Sequence, residues 1–275
     1  MSPPNSGPPP LKRMIVPALF VGALFLVVFL RQPNGPEYSD QWVLTGQTMG
    51  TAFTVKIVVP SESGVSQDEV ETVIRAAVDA VDSAMSTYQD DSELSRFNRH
   101  GTGPFDVSES MIEVVSEAQR VAELSAGAFD ITVGPLVDAW GFGPDPVADP
   151  PAAETIAALL ASGGFDKIDV DPERGTLVKA DEAIRCDLSA IAKGYAVDRV
   201  ARELVRLELT DFMVEIGGEV RASGRKTVSE AWRIGIERPE AGPGGLWSAV
   251  TLVDTAMATS GDYRNYYERD GVRIS

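Results

Sequence analysis

Just past residue 50 the chain alternates. Thr51, Phe53, Val55, Ile57 and Val59 interleave with Ala52, Thr54, Lys56 and Val58, the two-residue period of a strand with one face more apolar than the other. The period then lengthens. Ser66 and Glu69 have the spacing of a capping box, and Val70, Val73, Ile74, Ala77, Val78, Val81 and Met85 follow at helical intervals, which predicts a helix with one stripe packed on the sheet. A second helix is expected from near Ser108, with Met111, Val114, Val115, Ala118, Val121 and Ala122 inward and Gly127 as its stop. The proline-rich residues 145–151 read as a loop before a short helix over 154–161. Residues 167–170 and 176–179 flank an Asp171-Pro172-Glu173-Arg174-Gly175 turn and predict a hairpin. A third helix is expected over 189–207, with Ala192, Ala196, Val200, Leu204 and Leu207 on one face, then strands near 212–216, 232–236 and 249–253. This order lacks strict βαβα alternation, so the expected class is α+β. No Gly-x-Gly-x-x-Gly follows the first strand, which disfavours a Rossmann-type dinucleotide site.

The first 40 residues stand apart. Lys12 and Arg13 precede an apolar run over residues 14–30, closed by Arg31 and a stretch containing proline and glycine. A run of about 17 residues is at the short end for a bilayer-spanning helix, and basic residues at its front predict that the front stays in the cytoplasm. No Ala-x-Ala-like cleavage site follows, and no cysteine offers a lipid attachment point, so an uncleaved signal-anchor is favoured over a removed signal peptide. The expected organisation is a cytoplasmic tail, membrane anchor and linker over residues 1–40, then one domain over 41–275. The inner (cytoplasmic) membrane would hold the anchor and the periplasmic, extracytoplasmic side the domain.

Charge narrows the partners. The formal net charge is −17, so a nucleic-acid backbone is repelled over most of the surface and nucleic acid is not an expected partner. An anionic ligand needs a local device, either a metal ion or a nest of backbone amides. Cys186 is the sole cysteine, which rules out an intrachain disulfide and reads as a small core residue.

Several short segments set glycine beside polar residues where strands end, which is where a ligand can approach the backbone closely. Thr48-Met49-Gly50-Thr51 precedes the first predicted strand and fits a plain turn equally well. Residues 127–135, Gly-Ala-Phe-Asp-Ile-Thr-Val-Gly-Pro, fit a helix stop and a strand, with Phe129 as core. The segment from Asp187 to Asp198 is more informative, because it places a carboxylate and a hydroxyl at a helix start and Lys193 about one turn in. One reading has Ser189 or Asp187 as an N-cap with Lys193 in solvent; the other turns the positive helix end and Lys193 toward a pyrophosphate. Gly217-Gly218 and the Thr259-Ser260-Gly261 segment are strand-end sites of the same sort, and each also fits a bulge or turn. His100, the only histidine, sits in a polar turn and is expected to face solvent.

Taken in order, these blocks change the weight of each. Thr48-Met49-Gly50-Thr51, Met85-Ser86-Thr87-Tyr88 with residues 91–98, Gly127-Ala128-Phe129-Asp130, the Asp187 helix start, Gly217-Gly218 and Thr259-Ser260-Gly261-Asp262-Tyr263-Arg264 form a series. The series closely resembles the ApbE family of FAD:protein FMN transferases from about Thr45 to the last residue. The resemblance implies a mixed fold with helices packed on a predominantly antiparallel sheet, here preceded by the transmembrane segment. It implies an enzyme that splits FAD at its pyrophosphate and joins FMN through a phosphodiester to a threonine of a target protein, releasing AMP. That acceptor is usually a subunit of a membrane redox pump.

By the same resemblance Met49, Tyr88, Ala128, Phe129, Asp130, Asp187 and Lys193 contact the flavin nucleotide, and the backbone carbonyl of Ala190 binds Mg2+. The family pattern continues past residues 263–268 into a His-Ile-Ile-Asp-Pro-like segment and later an Ala-Asp block that ligates the metal. This chain stops at Ser275, so it is read as truncated relative to the family, and its catalytic group is unassigned because the expected histidine lies beyond that residue. Two further readings remain beside transfer: hydrolysis of FAD to FMN and AMP, with water in place of the threonine, and a non-catalytic flavin-binding module.

Overall fold

The computed structural model describes residues 38–144, 149–238, 245–261, 266–269 and 271–275. Within them the chain runs β1 (Tyr38–Thr48), β2 (Thr51–Pro60), α1 (Gln67–Met85), α2 (Glu93–Arg99), β3 (Phe105–Asp106) and α3 (Glu109–Leu124). A 3-10 turn (Ile131–Val133) leads into α4 (Gly134–Ala139) and α5 (Ala153–Ser162), and a second (Phe165–Lys167) leads into β4 (Ile168–Asp171) and β5 (Thr176–Lys179). Then come α6 (Ser189–Arg206), β6 (Phe212–Ile216), β7 (Glu219–Ser223), β8 (Trp232–Glu237), β9 (Leu246–Leu252), β10 (Thr255–Met257), β11 (Tyr267–Arg269) and β12 (Val272–Ile274). The class is α+β, as the periodicity implies.

The main sheet has the order β1-β2-β6-β7-β10, and its pairings are antiparallel. Alternation along β2 decides how it is covered. Phe53, Val55, Ile57 and Val59 point to one face, where Ile216, Val214 and Phe212 of β6 join them in the principal core. α1 enters that core through Val70, Ile74, Ala77, Val78 and Val81, and α6 through Ala192, Ala196, Val200 and Leu204. Each fully buried aliphatic side chain contributes on the order of 2 kcal/mol. On the opposite face Val58, Met213, Val220 and Ala222 meet Trp232 and Leu252 of the β8–β9 ribbon.

The starts of α1 and α3 and the end of α3 follow their predicted signals, whereas the N-cap of α6 is Leu188, with no side-chain cap bond, and neither Ser189 nor Asp187. Ser66 Oγ accepts the Glu69 N–H at 3.2 Å, and Ser108 Oγ accepts the Met111 N–H at 3.3 Å. α3 ends where Ala126 and Gly127 turn left-handed, with φ of 53° and 81°, and the Gly127 N–H donates to the Ala122 carbonyl at 2.8 Å.

Several expectations are corrected. The expected transmembrane segment forms no part of the described fold: among the described residues no helix is long and apolar enough to cross a membrane. Its helices are amphipathic instead, α1 for example opening with the exposed Asp68 and Glu69 and burying only one stripe. The apolar run at 14–30 lies outside the described residues. β1 begins at Tyr38, inside the stretch read as linker, and residues 131–133 form a 3-10 turn where a strand was one option. His100 is not solvent-facing: its ring packs on Phe105, with centroids 5.1 Å apart, and its Nε2 is buried with no hydrogen-bond partner.

Candidate active site

Antiparallel pairing brings two tight turns to one end of the main sheet. Thr48 pairs with Thr51, leaving Met49-Gly50 as a two-residue loop, and Ile216 pairs with Glu219, leaving Gly217-Gly218 as another. Because Phe53 faces Ile216 across β2 and β6, both loops project from the same edge. Right-handed strand twist favours a hairpin loop with positive φ at both positions. Gly50, Gly217 and Gly218 supply this at 70°, 58° and 104°, whereas Met49 adopts 47° with a full side chain. A long side chain in that region costs about 1 kcal/mol and persists where the surroundings or a function require it.

Gly217 is also needed for space. A Cβ there would lie 2.8 Å from Thr51 Cγ2 and 3.1 Å from Lys193 Cδ, so the turn, the start of β2 and the first turn of α6 are in contact. Lys193 is thus placed against the Gly217-Gly218 loop, not in open solvent. Its Nζ donates to the Ser189 carbonyl at 3.3 Å and lies 3.9 Å from Glu219 Oε1. Burial raises the pKa of the Glu219 carboxyl above its ordinary range, with Lys193 opposing the shift and Glu215 adding to it. Thr259, just past β10, donates from Oγ1 to the Gly218 carbonyl at 3.0 Å, and Glu215 accepts the Gly218 N–H at 3.0 Å. Asp262, Tyr263 and Arg264, the rest of that block, lie outside the described residues.

The head of α6 links these loops to the other predicted blocks. Asp187 Oδ1 accepts the Ser189 N–H at 2.7 Å, and the Asp187 N–H donates to the Ile131 carbonyl at 2.7 Å. Residues 128–131 are therefore tied to the helix start. Asn98 clamps the same approach from behind, its side-chain amide exchanging two hydrogen bonds with the backbone of Cys186 at 2.7 and 2.8 Å. Lys179, only 1% exposed, donates to the carbonyls of Asn98 and Ile184 at 3.0 Å each, and burial lowers its pKa. Cys186 is buried, as expected, and burial pushes its thiol up to about 12.

Individual side chains fare differently. Asp130 spends both carboxylate oxygens internally: Oδ1 accepts from the Thr132 N–H and hydroxyl at 2.8 and 2.7 Å, and Oδ2 from the Phe165 N–H at 3.0 Å. It shapes the loop. Phe129 is half-buried against the principal core, while Ala128 is exposed. Tyr88 is 71% exposed, and its hydroxyl donates to the Phe142 carbonyl at 3.3 Å and not to the loops or the head of α6. Phe142 in turn meets Tyr267, whose hydroxyl donates to the Trp140 carbonyl at 3.2 Å. These aromatic residues after α4 and in β11, and Glu219, were missed from sequence; a Gly-Gly-Glu run at a strand start was the available signal for Glu219. As for Mg2+, Ala190 is exposed in the first turn of α6. Among the described residues no group of three or more His, Cys, Asp or Glu side chains is placed to hold a metal ion, so they do not by themselves fit one.

With that geometry in place, the comparisons with known proteins decide the family. The family model described as ApbE family matches residues 49–275. This chain belongs to the ApbE family. An FAD:protein FMN transferase of Vibrio cholerae is 43% identical over 240 residues, 86% of this chain and 71% of that protein. One of Haemophilus influenzae is 41% identical over 238 residues, 84% and 69% of the two chains. Among solved structures, the flavin transferase ApbE from Vibrio cholerae superimposes with a TM-score of 0.77 at 41% identity, covering 86% of this chain and 75% of that one. The apo Pseudomonas stutzeri flavinyl transferase ApbE gives 0.76 at 38% identity, covering 86% and 73%. The ApbE relatives are flavin-transferring enzymes by name, and the α+β fold is shared with them.

Proposed function

We propose that this chain is an FAD:protein FMN transferase, which cleaves FAD at its pyrophosphate and attaches FMN to a threonine hydroxyl of a target protein. The observation that carries this reading is the convergence of the Met49-Gly50 loop, the Gly217-Gly218 loop, the head of α6 and Lys193 at one end of the sheet. In an acidic protein of net charge −17, that is the local device an anionic dinucleotide needs. Met49, Tyr88, Ala128 and Phe129 would border the flavin nucleotide. Asp187 would set the first turn of α6, and Lys193 would offer a point charge to the pyrophosphate.

The acceptor oxygen would form a bond to the FMN phosphorus as the bond to the AMP phosphate breaks in line. Mg2+, with the Ala190 carbonyl as one ligand, is part of the family reading; the described residues do not complete its site, and no step is derived through it. The acceptor would be a protein bearing an exposed threonine, with a membrane redox-pump subunit as the class the resemblance favours. The Lys12-Arg13 pair ahead of its apolar run supports an extracytoplasmic place of work.

Incubation of the purified protein with FAD, magnesium chloride and a threonine-bearing acceptor protein tests transfer. The expected product is acceptor heavier by one FMN moiety, with AMP released in equal amount. Free FMN with unmodified acceptor indicates hydrolysis instead, and intact bound FAD indicates a binding module; either result rejects transfer.

A further inference from the structure

Glu219 opens β7, and its side chain shares a sheet face with its antiparallel partner Ile216 and with Arg221 two residues on, the face covered by α6. Two pairs of opposite charge therefore cross between α6 and β7. Asp198 meets Arg221 at 2.5 Å, a direct hydrogen bond, while Lys193 stands 3.9 Å from Glu219. The second pair is attracted without being bonded. Its carboxylate is left short of donors, since Oε2 is buried with no hydrogen-bond partner. A buried carboxylate oxygen in that condition is costly, and the cost is tolerated where the charge has work to do.

The geometry shows what it acts on. A lysine ammonium is a point charge on a flexible four-carbon stem. Here the stem is pressed on the Gly217 turn, with Cδ 3.1 Å from where a Cβ would stand, and the Ser189 carbonyl holds one side of the ammonium at 3.3 Å. The Glu219 carboxylate lies on the other side. We propose that Glu219 is a positioning residue, whose charge holds the Lys193 ammonium at the head of α6 beside the Gly217-Gly218 turn, ready for the pyrophosphate of FAD. This rests on the assignment of Lys193 to that pyrophosphate. A carboxylate cannot itself attract phosphate, so its whole benefit must pass through Lys193.

A double-mutant cycle on FAD affinity, read by flavin fluorescence on purified protein, isolates that dependence. Glu219→Gln should weaken FAD binding about ten-fold in the wild-type background, within the usual range for coupled neighbours, and have no further effect when Lys193→Met is already present. An equal loss in both backgrounds overturns the proposal, as does an unchanged or tighter affinity for Glu219→Gln alone. Thermal unfolding gives an independent arm. Lys193→Met should lower Tm by leaving the carboxylate unbalanced, and adding Glu219→Gln should restore it; no restoration counts against the proposal. Should Glu219→Gln fail to fold, Glu219→Asp keeps the charge one methylene further back and should bind FAD more weakly than wild type, and wild-type affinity in that variant overturns the idea. Wild-type protein that binds no FAD removes the flavin reading and this one together, whereas wild-type binding with an indifferent Glu219→Gln removes this one alone.

Discussion

At the scale of single residues, the side chains that resemblance points to divide by what their polar atoms are already doing. Asp130 has both carboxylate oxygens engaged with Thr132 and Phe165, so Asp130→Ala should first of all loosen the loop. A loss of about 1–3 kcal/mol in unfolding free energy by urea titration is expected, from a lost cap and an unpaired buried donor. Stability unchanged within error would show that the carboxylate has no structural role. Cys186 gives a pH prediction. Its folded pKa is raised to about 12 from an ordinary 9.0, so the folded chain keeps a proton that the unfolded chain releases. The associated stability is complete below 9.0, falls as pH rises through that value, and is lost as pH approaches about 12. Native protein at pH 8 should accordingly resist thiol reagents that label it promptly in denaturant, and fast native labelling would contradict the burial.

At the scale of elements, two loops and one helix head make the candidate site, and the loops make opposite demands on their residues. Gly217→Ala would put a Cβ 2.8 Å from Thr51 Cγ2 at a φ of 58°. It should cost about 1 kcal/mol for the backbone alone and more for the clash, with FAD affinity falling in parallel as the turn moves off Lys193. Met49→Gly is expected to do the reverse for stability. Relief of a φ of 47° should leave the fold as stable or up to about 1 kcal/mol more so, while loss of the thioether side chain weakens flavin binding. A variant both less stable and unimpaired in flavin binding would refute the assignment. β1 shows why one element escaped notice. Its inward positions are Trp42, Leu44, Gly46 and Thr48, and the last two dilute the apolar alternation. Gly46 is small because the Phe53 ring of β2 occupies its place, 2.5 Å from where a Cβ would be, a fact that belongs to the pair of strands and not to either one.

At the scale of the whole molecule, the net charge of −17 and the local placement of Lys193 act against each other on an anionic ligand. Raising ionic strength from about 10 to about 150 mM shortens the Debye length from roughly 30 to 8 Å. Long-range repulsion is screened before the short-range contact is, so the association rate constant for FAD, measured by stopped-flow fluorescence, should rise a few-fold with salt. A falling rate would mean that a local positive field governs approach. The rest of the molecule serves to hold the site edge rigid. Asn98 and the buried Lys179 tie α2 and β5 to residues 184–186 ahead of α6, and α1 and α6 share the core with β2 and β6.

What the residue order determined by itself was local and periodic. The amphipathic stripes of α1, α3 and α6, their serine caps at Ser66 and Ser108, the alternation of β2 and the hairpin around Gly175 are properties of neighbours within a few positions, and the family blocks are readable as strings. Only the folded chain decided which of those strings meet. Lys193 is solvated or phosphate-facing with equal ease on an isolated helix, and it is the antiparallel pairing of β6 with β2 and β7 that presses Gly217 against its stem. The same pairing turns Glu219 toward α6, and folding brings the Phe165 N–H, 35 residues on, to Asp130, because contacts between residues far apart in sequence are set by sheet register and helix packing, which no local period encodes.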